Sequence, residues 1–341
     1  MIKVLIVDDS ATARHILHEI LSADKRIEVV GLAADAYIAR DMIIELKPDV
    51  ICLDLEMPRM DGLTFLQKLM LHYPTPVIIV SSLSSSGARV TLDAFEAGAV
   101  DFVQKPHAYL FDGKDEIQEE LIQKVVNASY AKVQKNVFHT GSHPCIRLSE
   151  TTQKVIAIGS STGGTEALRA VLSAMPQNSP AILVVQHMPQ TFIPPFAKRL
   201  NDLCAMDVKV AVHGESIQRG VVYIAQGDKH MVLRLLGVRY FIEIGVGKHV
   251  SGHCPSVDVL FNSVSKVAGG NALGVILTGM GSDGARGIFN MHQAGAKTIA
   301  QSEESCVVFG MPKEAIKLGG IDEVVPLEMI ANSVVKILNE E

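Results

Sequence analysis

The chain has no run of Lys and Arg that could form a basic stripe. Its 31 basic and 37 acidic residues leave a net charge of −6. That balance argues against a nucleic-acid surface, and no nucleic-acid partner is expected. No apolar stretch is long enough to cross a bilayer, so direct membrane insertion is not expected either. The N-terminus, MIKVLIVDDS, closes its short apolar run with two acids and is not read as a signal peptide. Cysteine is scarce: five in 341 residues, an odd count with no CxxC pair. This fits a reducing cytoplasm better than a disulfide framework. Fixed-period repeats and low-complexity segments are missing as well.

What is present is a chain 48% hydrophobic and 20% charged, long enough for about two domains with sizeable cores. From IKVLIV to DEIQEELIQKVV, short β-branched runs alternate with segments of helical period, five times over. Such a pattern predicts a doubly wound, flavodoxin-like α/β domain over residues 1–122. The period then fails. Residues 123–153, rich in Ser, Thr, Asn, His and Lys, read as an interdomain linker that continues from the preceding helix. Order resumes over residues 154–341, where KVIAIG, AILVVQH, VKVAV, VVYIAQ, ALGVILTG and KTIAQS read as strands. HMVLRLLGVRYFIEIG, with Gly at its middle, reads as an antiparallel hairpin. The second domain is therefore expected to be α/β and mostly parallel, with a hairpin insertion.

Asp8 and Asp9 follow the first predicted strand, and Asp54 lies near the end of the third. In a doubly wound sheet these ends meet at the topological switch point, where ligands bind. Three carboxylates there repel one another unless a cation lies between them, and Mg²⁺ is the simplest. Ser81 ends the fourth strand. Lys105 ends the fifth and precedes Pro106, whose peptide bond can take the cis form. A carboxylate nucleophile, a metal, a hydroxyl and an ammonium together suit phosphoryl transfer onto an aspartate. Singly, each residue would be an ordinary helix cap or solvated loop residue; five at matching strand ends favour a site. The stretches VLIVDDS, LDLEMPRMDG, VSS and QKP resemble the response-regulator receiver family. The resemblance implies Asp54 as phosphoacceptor, Asp8 and Asp9 as metal acids, and the Glu56 backbone carbonyl as a further metal ligand. It implies Ser81 and Lys105 as the switch pair.

The loop GSSTGG cannot be a Walker-type phosphate loop, because Thr165 and Glu166 follow where Lys is needed. It does match G-x-S-x-G through Gly159, Ser161 and Gly163, between a predicted strand and a predicted helix. That context lifts a serine hydroxyl above a sheet edge. A nucleophilic serine needs a base, and the base an orienting acid. His187 ends the next strand, and Asp283 follows the strand ALGVILTG. All three fall at carboxyl ends of parallel strands; His213, His230, His249, His253 and His292 are less clearly placed. The order Ser, His, Asp differs from that of α/β-hydrolases, so a different fold is expected to reach the same chemistry. The backbone N–H groups of Thr162 and Met280 are the expected oxyanion donors. The segment HVSGHC lacks a nameable fourth zinc ligand, and Gly252 breaks its helical spacing. His253 is instead expected to line the substrate cleft.

The stretches IGSSTGGTEAL, VVQHMP, GDKHM, PSVDVLF, GVILTGMGSDGA and SCVVFGMPKEAI resemble the catalytic domain of the chemotaxis protein-glutamate methylesterases, the CheB family. The family's triad falls on Ser161, His187 and Asp283. The resemblance implies hydrolysis of glutamate γ-methyl esters on methyl-accepting chemotaxis receptors, with deamidation of receptor glutamines in some members. It further implies phosphorylation by a chemotaxis histidine kinase, and an unphosphorylated receiver that covers the catalytic cleft. No cofactor is implied for the ester step itself. A hydrolase of some other ester or amide, and a non-enzymatic response regulator, are the rival readings.

Overall fold

A computed structural model describes residues 1–81, 85–105, 114–133 and 154–340. Pro106, and residues 134–153 of the expected linker, lie outside the described residues. The chain divides into two compact units, Met1–His139 and Thr140–Glu341.

The first unit alternates strand and helix: β1 (Ile2–Val7), α1 (Ala11–Ser22), β2 (Ile27–Ala33), α2 (Ala36–Leu46) and β3 (Val50–Leu53). It continues with α3 (Gly62–His72), β4 (Val77–Ser81), α4 (Ser85–Glu96), β5 (Asp101–Gln104) and α5 (Lys114–Ala128). The strands form one parallel sheet in the order β2-β1-β3-β4-β5. Val4–Val7, Val50–Leu53 and Val77–Ser81 are buried at every position. Strands covered on both faces must be apolar at consecutive positions rather than alternate ones. Helix starts are set locally. Ser10 Oγ accepts the Ala13 N–H, the Asp35 carboxylate accepts those of Tyr37 and Ile38, and Asp61 accepts that of Thr64. The boundary expected at residue 122 falls inside α5. Leu121, Val125 and Val126 are all buried, so packing carries the helix on to Ala128.

The second unit opens with β6 (Val155–Ser160), α6 (Gly164–Ser173), β7 (Ala181–Gln186), α7 (Ile193–Leu203), β8 (Asp207–Val210) and β9 (Val221–Ile224). The hairpin strands β10 (His230–Leu236) and β11 (Arg239–Gly245) follow, then α8 (Val257–Val267), β12 (Ala272–Ile276) and α9 (Ala285–Gln293). β13 (Lys297–Gln301), α10 (Met311–Lys317), β14 (Glu323–Val325) and α11 (Leu327–Glu340) complete it. Seven strands form a sheet in the order β14-β13-β12-β6-β7-β9-β8, parallel at every pairing. The hairpin stands apart as a two-stranded antiparallel sheet and packs on α8, where the Leu233 N–H donates to Ser263 Oγ at 2.9 Å. Tyr223, Phe192 and Phe261 are the largest fully buried side chains of this unit. The two edge strands are short: β14 has three residues, and β8 has four with Asp207 and Lys209 exposed.

The chain leaves β6 for β7 on one side and returns to β12 on the other, so the strand order reverses at β6. The crevice beyond the carboxyl ends of β6, β7 and β12 is therefore the switch point of this sheet. In the first unit the same position lies beyond β1 and β3.

Candidate active site and phosphoacceptor site

Ser161 is the first residue after β6 and His187 the first after β7. Register pairs Ser160 with Gln186, and the His187 N–H donates to Ser160 O at 3.1 Å. Asp283 lies in the loop between β12 and α9. The three expected residues thus share one rim. The turn carrying Ser161 closes because Gly163 takes a left-handed φ of +75°, and a Cβ there would sit 2.6 Å from Val307 Cβ. Gly279 is equally constrained, since its Cβ would lie 2.8 Å from that of Ser161.

Asp283 is buried, and four donors converge on it. His187 Nε2 lies 2.8 Å from Oδ2, and the Val257 N–H donates to the same oxygen at 2.7 Å. Ser256 Oγ donates to Oδ1 at 2.7 Å and the Asp258 N–H at 3.0 Å. Two of these are first-turn amides of α8, so the acid sits on the positive end of a helix other than its own. Burial pushes the Asp283 carboxyl upward, but the His187 hydrogen bond and charge, with the Ser256 and Asp258 donors, outweigh it and hold the group below its usual value. With Nε2–H committed to Asp283, the ring's free lone pair lies on Nδ1, which is buried and without a partner. Ser161 and Nδ1 are not hydrogen-bonded in this conformation; such bonds commonly tighten only with substrate in place.

Gln186 went unnoticed in the sequence. Its Oε1 accepts from Ser160 Oγ at 2.6 Å, and its Nε2 donates to Ser161 O and His187 O, both at 3.0 Å. Ser161 O also accepts the Gly164 N–H at 2.7 Å. A carbonyl clamped twice fixes its trans peptide plane, so the N–H of Thr162 points the opposite way. The Gly279 carbonyl is clamped likewise by the Gly310 and Met311 N–H groups, at 3.0 and 2.8 Å, which turns the Met280 N–H away from it. The Ser161 N–H is itself consumed by Thr278 O at 3.0 Å. The N–H groups of Thr162 and Met280, the expected oxyanion donors, belong to these two fixed peptide planes.

Ser256 was also missed as a site residue. It caps α8 and donates to Asp283 at once. Ser256→Ala is expected to lower kcat about tenfold through the lost bond to a charged group, with KM nearly unchanged. The cap loss is expected to lower stability by about 1 kcal/mol. Steady-state kinetics with a thermal melt tests this, and an unchanged kcat would remove Ser256 from the machinery. In HVSGHC, His249 is exposed, and His253 lies face to face with His187. Among the described residues, the acids of the first unit alone form a cluster able to hold a metal.

That cluster is Asp8, Asp9 and Asp54, with one oxygen of each within 4.8 Å of the others. Asp8 and Asp54 are buried and Asp9 is exposed. Lys105 Nζ lies 2.8 Å from Asp8 Oδ2 and 2.7 Å from Asp54 Oδ2. The Glu56 N–H donates to Asp54 Oδ1 at 3.2 Å. Burial dominates at Asp54 and pushes its carboxyl up, against the pull of Lys105. Burial also opposes the charge on Lys105, but its two carboxylate partners raise it above its usual value. Three carboxylates against one ammonium, all hard oxygen donors, fit a divalent cation such as Mg²⁺. Ser81 Oγ is buried with no partner, a hydroxyl available to an added oxyanion.

An acidic receiver-type pocket in one unit and a serine–histidine–aspartate rim in the other define the class: a response regulator with a serine-hydrolase output unit. Residues 4–110 match the response regulator receiver domain family, and residues 156–334 match the CheB methylesterase family. The chain belongs to the CheB methylesterase family. It is 53% identical to a protein-glutamate methylesterase/protein-glutamine glutaminase of Sulfurimonas denitrificans, over 99% of each chain. A Salmonella typhimurium protein of the same description is 51% identical, over 97% of this chain and 95% of that one. The crystal structure of the Thermotoga maritima CheB methylesterase catalytic domain, 38% identical, is covered completely by 55% of this chain with a TM-score of 0.54.

Proposed function

We propose that this chain is a phosphorylation-activated protein-glutamate methylesterase of methyl-accepting chemotaxis receptors, and that the same route serves receptor glutamines. The observation that carries the reading is the His187–Asp283 pair, held at 2.8 Å on the rim that bears Ser161. Nδ1 of His187 takes the hydroxyl proton as Ser161 Oγ attacks the ester carbonyl carbon. The N–H groups of Thr162 and Met280 receive the developing oxyanion. His187 then returns the proton to the departing methoxide, and methanol leaves. Water, deprotonated by the same nitrogen, attacks the acyl-serine, and His187 returns that proton to Ser161 Oγ as the C–Oγ bond breaks and the glutamate is released. Asp283 remains ionised, fixes the tautomer and offsets the imidazolium charge.

Asp54 is the proposed phosphoacceptor: one carboxylate oxygen attacks the phosphorus of a phosphohistidine on a chemotaxis kinase, and the imidazole leaves. Asp8, Asp9, Asp54 and the Glu56 carbonyl would hold Mg²⁺, which would offset charge on the transferring phosphoryl group. Lys105 and Ser81 are poised to meet phosphoryl oxygens. A cytoplasmic setting is part of this reading, supported by the free thiols of Cys52, Cys204, Cys254 and Cys306. No helix among the described residues is long and apolar enough to cross a membrane.

The test is methanol release from methylated receptor membranes. The full chain with Mg²⁺ and a small phosphodonor is expected to turn over about 5- to 100-fold faster than without the donor, the usual range of coupling between sites. Asp54→Asn is expected to keep the basal rate and lose the response. A response that survives in Asp54→Asn would move the phosphoacceptor elsewhere, and no release under any condition would overturn the receptor substrate.

A further inference from the structure

His253 lies flat on His187, with ring centroids 3.7 Å apart and planes 14° from parallel. Several contacts build the segment that delivers it. Val250 and His253 exchange backbone hydrogen bonds, each 3.0 Å, and the residues between them, Ser251 and Gly252, have φ of +53° and +83°. Two consecutive positive φ values inside a paired turn mark the tight I′ class. Ser251 Oγ donates to Asp258 Oδ2 at 3.2 Å, tying the turn to α8. Buried His230 holds the segment at both ends. Its Nε2 donates to Lys248 O at 2.9 Å, and its Nδ1 accepts the Ser256 N–H at 3.2 Å. The ring of His253 is thus presented by a braced turn rather than by a loose loop.

His187 needs such a neighbour. Its hydrogen bond from Nε2 to Asp283 fixes one ring nitrogen, while no hydrogen bond fixes the direction of Nδ1. Rotation of the ring about that contact would displace Nδ1, and the misplacement of a reacting atom by about 1 Å can cost about 100-fold. A ring stacked on one face blocks that rotation. It also sets a π face against the ring that becomes cationic when Nδ1 accepts the proton, and excludes water from that side.

We propose that His253 is a positioning residue of the hydrolytic reaction, stacking on His187 to fix the direction of Nδ1 on the rim that bears Ser161. The proposal rests on the reading of Ser161 and His187 as nucleophile and base. The experiment uses the full chain with Mg²⁺ and acetyl phosphate, as wild type, His253→Ala, His253→Phe and Ser161→Ala, each checked by thermal melt. Two rates are followed: methanol release from receptor membranes, and phosphonylation of Ser161 by a fluorophosphonate, which needs an activated serine but no receptor. His253→Ala is expected to lower kcat and the phosphonylation rate about tenfold, with KM within about twofold. His253→Phe, which keeps a stacking face, is expected to stay within about threefold of wild type in both.

Wild-type rates in His253→Ala would overturn the proposal. So would a raised KM at unchanged kcat, which would make His253 a substrate contact. Equal losses in the Phe and Ala variants would overturn it too, since the ring face alone would then not suffice. If wild type releases no methanol but the phosphonylation pattern holds, the receptor substrate falls and the positioning role stands. If wild type is not phosphonylated, both fall together.

Discussion

Ser161→Ala is expected to reduce turnover on methylated receptors by about 10⁴- to 10⁶-fold, leaving what the oxyanion donors and binding alone supply. The fold has no reason to change. The Ser161 N–H is bonded to Thr278 O, and its carbonyl is held by Gly164 and Gln186; alanine keeps all of these backbone bonds. The side chain itself is only half-buried and fills no core space. A melting temperature equal to wild type, with methanol release below detection, is the expected pair of results. Retention of a tenth of the activity would place the nucleophile elsewhere on the rim.

Asp283→Asn is expected to lower kcat about 10³- to 10⁴-fold, for a different reason. Every group around this carboxylate is a donor: His187 and Val257 face Oδ2, Ser256 and Asp258 face Oδ1. An amide NH₂ must meet one pair. Beside Oδ2 it forces Nε2 of His187 to accept, so the proton moves to Nδ1 and the base is blocked, while the Val257 N–H is left unpaired. Beside Oδ1 the serine hydroxyl can turn, but the Asp258 N–H cannot. One buried donor is stranded either way, at a cost of about 1–3 kcal/mol. The variant is therefore expected to melt lower as well as to turn over slowly, which separates it from Ser161→Ala. Stopped-time methanol assays and a thermal melt on one preparation test both; activity within tenfold of wild type would remove Asp283 from the reaction.

Much of the fold follows from local pattern. The apolar run VLIV and the all-buried AILVVQ announce strands covered on both faces, and Ser10, Asp35, Asp61 and Ser256 stand where helices begin. Strand order is less legible, because pairing of β6 with β12 across more than a hundred residues depends on packing, not on local propensity. β14, at three residues, is too short to show a period. Of the site, the residues at strand ends could be read from position alone. Gln186 could have been found: a lone amide closing an otherwise apolar buried strand demands hydrogen-bond partners. The seating of Asp283 on α8 and the stacking of His253 on His187 could not, since each joins segments far apart in sequence through tertiary contact. Residues 123–128 of the expected linker continue α5, whose buried face runs through Leu121, Val125 and Val126 while its outward positions carry no apolar period.

The short margins of the seven-stranded sheet bear on how so apolar a sheet limits strand addition at its edges. An exposed strand edge is a template on which another molecule can add a strand, and long flat hydrophobic edges seed aggregates. Here one margin is the three-residue β14, and the other is the four-residue β8, with Asp207 and Lys209 exposed along it. Each offers an incoming chain few pairing groups, and on β8 the incoming chain must also strip charged side chains of water. The sheet can therefore keep its candidate site on fully buried strands such as β6 and β7 while its margins discourage growth into fibres.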